Sequence, residues 1–142
     1  MPDTIDAPQR TLHFERTLDA TPEEVFDAWT QAEQLAQWWD PTGAPLVECT
    51  IDARVGGGFR FVSAGHAPPF QGTYEVVERP TRLGFVAMGA RGVVSLAPHA
   101  RGTLMKVSIT SPDAAHFEHF VKLGVHQGTA VTLDNLVRRF AR

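Results

Sequence analysis

Between residues 45 and 110 the chain alternates apolar and polar side chains with a period of two, in short runs broken by glycine and proline. Such runs are strands joined by tight turns, and strands with connections this short pair antiparallel. The runs are 46–52, 59–63, 70–78, 83–88, 93–97 and 104–110. The turns fall at Gly56-Gly57-Gly58, 65–69, Arg79-Pro80-Thr81, 89–92 and 98–102. An earlier run, 11–18, places Leu12, Phe14, Arg16 and Leu18 on one face. About seven antiparallel strands follow, and their shared apolar face must be covered by something else in the chain.

The cover is legible on either side of the meander. After the first strand, Thr21-Pro22-Glu23-Glu24 has the N-cap, first-turn proline and third-position glutamate of a capping box, and Val25, Phe26 and Trp29 make an apolar stripe. A second short helical piece spans 32–39 and stops at Pro41. After the last strand, Ser111 as cap, Pro112 as first-turn proline and Asp113 as first-turn acid open a long helix predicted to reach about Phe140, with Arg138, Arg139 and Arg142 at its end. The expected fold is α+β: a curved sheet wrapped around one long C-terminal helix, with two short helices after the first strand. Gly124 and Gly128 stand four apart, on one helical face. Two glycines there mean close packing against a strand, or room kept beside the helix for a ligand.

Composition narrows the function classes. The 142 residues suit a single domain at 11–142, with a polar, frayed N-terminal tail at 1–10. A formal charge of −3 gives no general reason to bind nucleic acid. No apolar run approaches the length of a membrane span, and the first ten residues lack the pattern of a secretory signal, so a cytoplasmic location and no membrane insertion are expected. One cysteine, Cys49, excludes an intramolecular disulfide and sits in a strand, where a thiol is inert packing. His116 and His119 are three apart, and His126 lies two turns further on; this spacing supplies two ligands to one ion, not three, so exposed histidines and no metal are expected. His13, His66 and His99 are scattered on a strand and two turns. No nucleophile elbow occurs, and the glycine triplet is followed by a strand rather than a helix. Asp52 and Arg54 flank that triplet as a local charge pair.

The aromatic residues Phe26, Trp29, Trp38, Trp39, Phe59, Phe61, Phe70, Tyr74, Phe85, Phe117 and Phe120 supply most of the core. Strand parity places Phe59, Phe61, Tyr74, Val76, Leu83, Phe85, Met105 and Val107 on the concave face, with Ile109 in the parity of the last two. Phe117, Phe120, Val121, Gly124, Gly128 and Val131 face them from the helix, and Trp38 and Trp39 form a lid. Any ligand is expected among these residues, with the Tyr74 hydroxyl as its polar handle. For acid–base chemistry, Glu48, His13, Arg16, Arg60 and Tyr74 are the ionisable residues expected nearest a cavity.

Several segments, in order, resemble one family. Residues 20–30 (ATPEEVFDAWT) and 35–41 (LAQWWDP) are similar to the opening of the Hsp-ninety ATPase activator homologue-like family. That family belongs to the START-like, or SRPBCC, superfamily with its helix-grip (Bet v-type) fold. Asp52-Ala53-Arg54-Val55-Gly56-Gly57 resembles its hairpin, residues 72–83 (GTYEVVERPTRL) its strand pair, and Gly128 with Leu133-Asp134-Asn135-Leu136 its closing helix. The family's usual tryptophan after that glycine is Thr129 here. The resemblance implies a seven-stranded helix-grip domain. It also implies a small hydrophobic molecule, a lipid included, bound between sheet and helix, with a role in stress response or metabolite sensing. Alternatives are a cyclase- or hydratase-like enzyme and a module that contacts a chaperone. No cofactor is expected. A homodimer is expected to pair through an edge strand such as 93–97.

Overall fold

The computed structural model describes residues 3–65 and 68–141; His66 and Arg142 lie outside the described residues. Eight strands form one antiparallel sheet. They are β1 (Thr4–Asp6), β2 (Thr11–Leu18), β3 (Glu48–Ile51), β4 (Gly58–Val62), β5 (Phe70–Glu78), β6 (Arg82–Ala87), β7 (Ala90–His99) and β8 (Gly102–Thr110). Their order across the sheet is β1-β2-β8-β7-β6-β5-β4-β3. Two helices, α1 (Pro22–Thr30) and α2 (Ala32–Leu35), follow β2, and α3 (Ala114–Lys122) and α4 (Val125–Arg139) end the chain.

The local reasons match the sequence in most places. In β2 the residues Leu12, Phe14 and Leu18 are buried. The capping box at α1 forms in full: Glu24 N–H donates to Thr21 Oγ1 at 3.1 Å, and Thr21 N–H donates to Glu24 Oε1 at 2.9 Å. This satisfies two donors that a helix start otherwise leaves open. Asp113 caps α3 by accepting from His116 N–H at 2.8 Å.

Five expectations are corrected. The sheet has eight strands, not seven, because Thr4–Asp6 pairs with β2 where a frayed tail was expected. The side chain of Arg16 in β2 anchors this pairing, bonding Asp3 beside β1 and reaching Asp134 on α4 at 2.8 Å. Second, the long C-terminal helix is two helices. Gly124 has φ +78° and is the N-cap of α4, so it lies at a break rather than inside a helix. Third, the turn after β6 is Met88-Gly89, both at positive φ, as the two-residue hairpin that matches strand twist requires; β7 therefore begins at Ala90. Fourth, β7 lies between β6 and β8, so it has no free edge for a partner; the outer strands are β1 and β3. Fifth, the second helical piece is only Ala32–Leu35.

A bulge in β5 changes which side chains face inward. Tyr74 pairs with Phe85, but the next pair is Val76 with Gly84 and then Val77 with Leu83. The extra residue moves Val77, not Val76, onto the core face beside Leu83. Val76 packs on the outer face, where its Cβ lies 3.2 Å from the position of a Cβ on Gly84.

The two helix glycines, alike in sequence, should respond oppositely to alanine. At Gly124 an L-residue would be forced into the left-handed region, so Gly124→Ala should lose about 1 kcal/mol of stability. At Gly128 the backbone is helical and a Cβ meets nothing within 4 Å. Gly128→Ala should therefore gain about 0.5–1 kcal/mol. Urea unfolding of the two variants checks both signs.

Candidate functional site

Between the sheet and the C-terminal helices lies a cavity of about 260 Å³. Its sheet wall is Phe70 of β5, Phe85 and Ala87 of β6, Ala90 and Gly92 of β7, and Val107 and Ile109 of β8. The helix wall is Phe120 of α3 with Val125, Gly128, Thr129, Thr132 and Leu133 of α4. Trp29 of α1, Trp39 and Pro41 close one side, and Met88 of the β6–β7 turn contributes another part of the wall. Pro41 and Met88 are both exposed, so the cavity reaches the surface near them.

The space arises from short side chains facing each other. Ala87, Ala90 and Gly92 are small on the sheet; Gly128 and Thr129 are small on the helix. Gly92 lies opposite Phe85, and a Cβ there would meet the Phe85 ring at 2.6 Å. The missing side chain lets that ring lie across the neighbouring strand. Thr129, where the resemblance leads one to expect tryptophan, is part of the wall, so the lost ring volume remains as cavity rather than being refilled.

Among the described residues, no lining residue is ionisable. One hydroxyl of the wall is committed to the backbone. Thr132 Oγ1 donates to the Trp39 carbonyl at 3.0 Å, which ties α4 to the Trp39 segment. Asn135, one turn on, donates to the Asp40 carbonyl at 3.0 Å. His116 sits outside the wall and bridges elements: Nδ1 is 2.9 Å from Ser111 Oγ and Nε2 is 2.8 Å from the Met88 carbonyl. It fixes the start of α3 to the turn that carries Met88.

Of the residues predicted to meet a ligand, Trp39, Phe85, Val107, Phe120 and Gly128 converge on this cavity. Phe59, Phe61, Tyr74 and Leu83 do not. They pack a second aromatic cluster, with Phe59 5.1 Å from both Phe61 and Tyr74, and the crevice left among them holds only about 10 Å³. Trp38, Met105 and Phe117 are buried core, and Trp38 Nε1 donates to the Ala28 carbonyl at 3.1 Å. Val121 packs against the core edge, Gly124 is the helix break, Val76 faces outward, and Val131 is 44% exposed. The lining residues not predicted are Trp29, Pro41, Phe70, Ala87, Met88, Ala90, Gly92, Ile109, Val125, Thr129, Thr132 and Leu133. Part of that set carried a signal: Ile109 has the parity of Val107, and Val125, Gly128, Thr129 and Thr132 recur at helical spacing.

The ionisable candidates stand elsewhere. Glu48 pairs with Arg60 at 2.7 Å, and His13 lies 3.8 Å from Asp6. Arg54 bonds Asp52 at 2.9 Å, the expected local pair. His126 is not an exposed helix histidine; its ring stacks on Phe14 at 5.0 Å. Among the described residues no three His, Cys, Asp or Glu side chains gather as a metal site.

With this geometry in view, the comparisons with known proteins are specific. Residues 19–141 match the family described as Activator of Hsp90 ATPase homolog 1-like protein. The chain belongs to this family. A comparison with curated proteins finds no match. A solved AHSA1-like protein from Aeromonas hydrophila is 27% identical, with 90% of each chain covered and a TM-score of 0.74. A crystal structure from Rhodobacter sphaeroides is 22% identical over 91% of this chain and 90% of that one, with a TM-score of 0.81. A third, from Mycobacterium smegmatis, is 17% identical over 97% and 95%, with a TM-score of 0.82. The last two show the shared fold, the helix-grip arrangement of sheet and C-terminal helix. No helix among the described residues is long and apolar enough to cross a membrane.

Two titrating groups flank the aromatic cluster. Burial, with a smaller push from the Glu33 charge, raises the Cys49 thiol from 9.0 to about 11. Burial, then the charges of Cys49 and Asp52, raises the Tyr74 hydroxyl above its usual 10.0. Both groups resist ionisation in the folded state more than in the unfolded chain. Their contribution is therefore fully present below about pH 9 and is lost as pH rises through the folded-state values. Urea unfolding at pH 7, 9 and 10.5 should show little change between the first two and a marked loss at the third. Cys49→Ala should make that loss shallower.

Proposed function

We propose that this protein binds a small, neutral, predominantly apolar molecule in the cavity between the sheet and α4. The observation that carries this reading is a cavity of about 260 Å³ whose wall, among the described residues, has no ionisable side chain. An apolar cavity of about 150 Å³ in a protein core takes up benzene, so this one has room for a one- or two-ring molecule or a short branched chain. Ligand pockets run from about 300 Å³ upward, which puts this site at the small end. Acid–base catalysis of the cyclase or hydratase kind is disfavoured by the same wall, because no proton donor or acceptor of suitable pKa faces the space. A charged ligand is disfavoured too, since no counter-charge lines the cavity.

Blocking the cavity from the helix side tests the reading. 1-Aminonaphthalene, a neutral two-ring probe whose emission shifts to the blue in apolar surroundings, should bind with an affinity of tens of micromolar or better. Thr129→Trp should weaken it at least tenfold while the far-ultraviolet circular dichroism stays unchanged. Absence of binding to the natural chain, or affinity unaltered in both Thr129→Trp and Gly128→Phe, would refute the site.

A further inference from the structure

We propose that the Phe85 side chain sets the size limit of the ligand. Its ring divides the cavity from the crevice over β4 and β5, and so restricts the occupant to a molecule of about two fused rings. This rests on the cavity being a binding site, and adds which residue selects among apolar molecules. Four rings, those of Trp29, Trp39, Phe70 and Phe85, belong to the walls of both spaces. On one side of them lie about 260 Å³, on the other about 10 Å³.

Strand β6 runs from one space to the other. Leu83, Phe85 and Ala87 alternate onto its inner face; Leu83 lines only the crevice, Ala87 only the cavity, and Phe85 lines both. The ring of Phe85 stands between the two in the same way. It meets Phe59, a crevice residue, edge-to-face at 5.7 Å. On its other side a Cβ on Gly92, a cavity residue, would meet its Cε2 and Cζ at 2.6 Å. Of the four shared rings it is also the one with the least aromatic support. Trp29 and Trp39 touch each other at 6.3 Å and both touch Trp38. Phe70 lies 5.1 Å from Trp39, 5.8 Å from Phe59 and 5.9 Å from Phe61. Phe85 has Phe59 as its one ring neighbour among the described residues. Its cross-strand partner on β7 is Gly92, which has no side chain to take its place. Truncating Phe85 at Cβ therefore joins the cavity to the crevice, whereas truncating a ring that lines the crevice alone leaves the partition standing.

The probes are 1-aminonaphthalene and 1-aminoanthracene, neutral fluorescent amines that differ by one fused ring. In fluorescence titrations the natural chain should bind the two-ring probe about tenfold or more tightly than the three-ring probe. Phe85→Ala should reverse that order, because an admitted ring adds apolar burial. Phe61→Ala is the control: it empties part of the crevice wall only, and should keep the natural order. If Phe85→Ala folds poorly by circular dichroism, Phe85→Leu decides the matter; the shorter side chain should narrow the natural preference by about threefold or more. Equal affinity of the natural chain for the two probes, an unchanged preference in the Phe85 variants, or the same change in Phe61→Ala would overturn the proposal and leave the binding site standing. If neither probe binds the natural chain, the site and the proposal fail together.

Discussion

Everything in this structure answers to the mismatch between one wide sheet and one narrow helix. Eight strands at about 4.8 Å spacing span roughly 34 Å from first to last. A 15-residue helix is about 22 Å long and about 10 Å across with its side chains. Laid on the concave face, α4 covers the part nearest β2, to which Arg16 and Asp134 fasten it. The rest of the apolar face needs other cover. The α1 helix takes up part of it against β7 and β8, and the Trp38-Trp39 segment, held to α4 through Thr132 and Asn135, takes up more. What neither reaches is divided between a tightly packed aromatic cluster over β4 and β5 and the open cavity over β6, β7 and β8.

The break at Gly124 makes that division work. A single straight helix from Ala114 to Arg139 would carry one face along one line. The left-handed residue lets α3 and α4 take separate directions, so Phe117 and Phe120 insert from α3 while α4 presents Gly128 and Thr129. Large side chains then press on the sheet at one end of the pair and small ones withdraw from it at the other. The cavity is thus a product of side-chain size along a bent cover, not of sheet curvature alone.

Period-two alternation and the capping box at Thr21 are local signals, and the strands and α1 they mark lie within about three residues of where they were expected; α3 starts two residues later than expected, capped by Asp113 instead of Ser111. The departures come where the deciding contact is distant. Nothing within 1–10 announces β1, whose pairing is anchored by Arg16 and Asp3. The bulge after Tyr74 inserts one residue, and a period-two reading then assigns Val76 to the wrong face. Gly124 and Gly128 differ only in backbone dihedral, which spacing does not encode. The cavity wall was half legible for a similar reason: an apolar stripe such as Val25, Phe26 and Trp29 shows that a residue is inside, but not whether it faces another side chain or open space. Tyr74 shows the cost of that blindness. As the lone tyrosine it drew the role of polar handle, yet it is packed among phenylalanines.

Where charge sits sharpens what the cavity can discriminate. Arg91 with Glu75, Arg79 with Asp27 and Arg60 with Glu48 are surface pairs, worth little to stability. Among the described residues the cavity wall carries no ionisable side chain, so any selection there would rest on shape and on neutral polar groups. An unfilled apolar volume of this size also has a thermodynamic consequence. At about 24 cal/mol for each Å³ of fully enclosed void, it would forgo at most about 6 kcal/mol relative to a filled core. That is comparable to the whole stability of an ordinary domain, about 5–15 kcal/mol. Replacing Gly128 and Thr129 by larger residues would recover much of it, since nothing obstructs a side chain from Gly128. With small residues on both walls, any occupant that supplied the missing contacts would also stabilise the fold, so occupancy and stability would be two readings of one free energy.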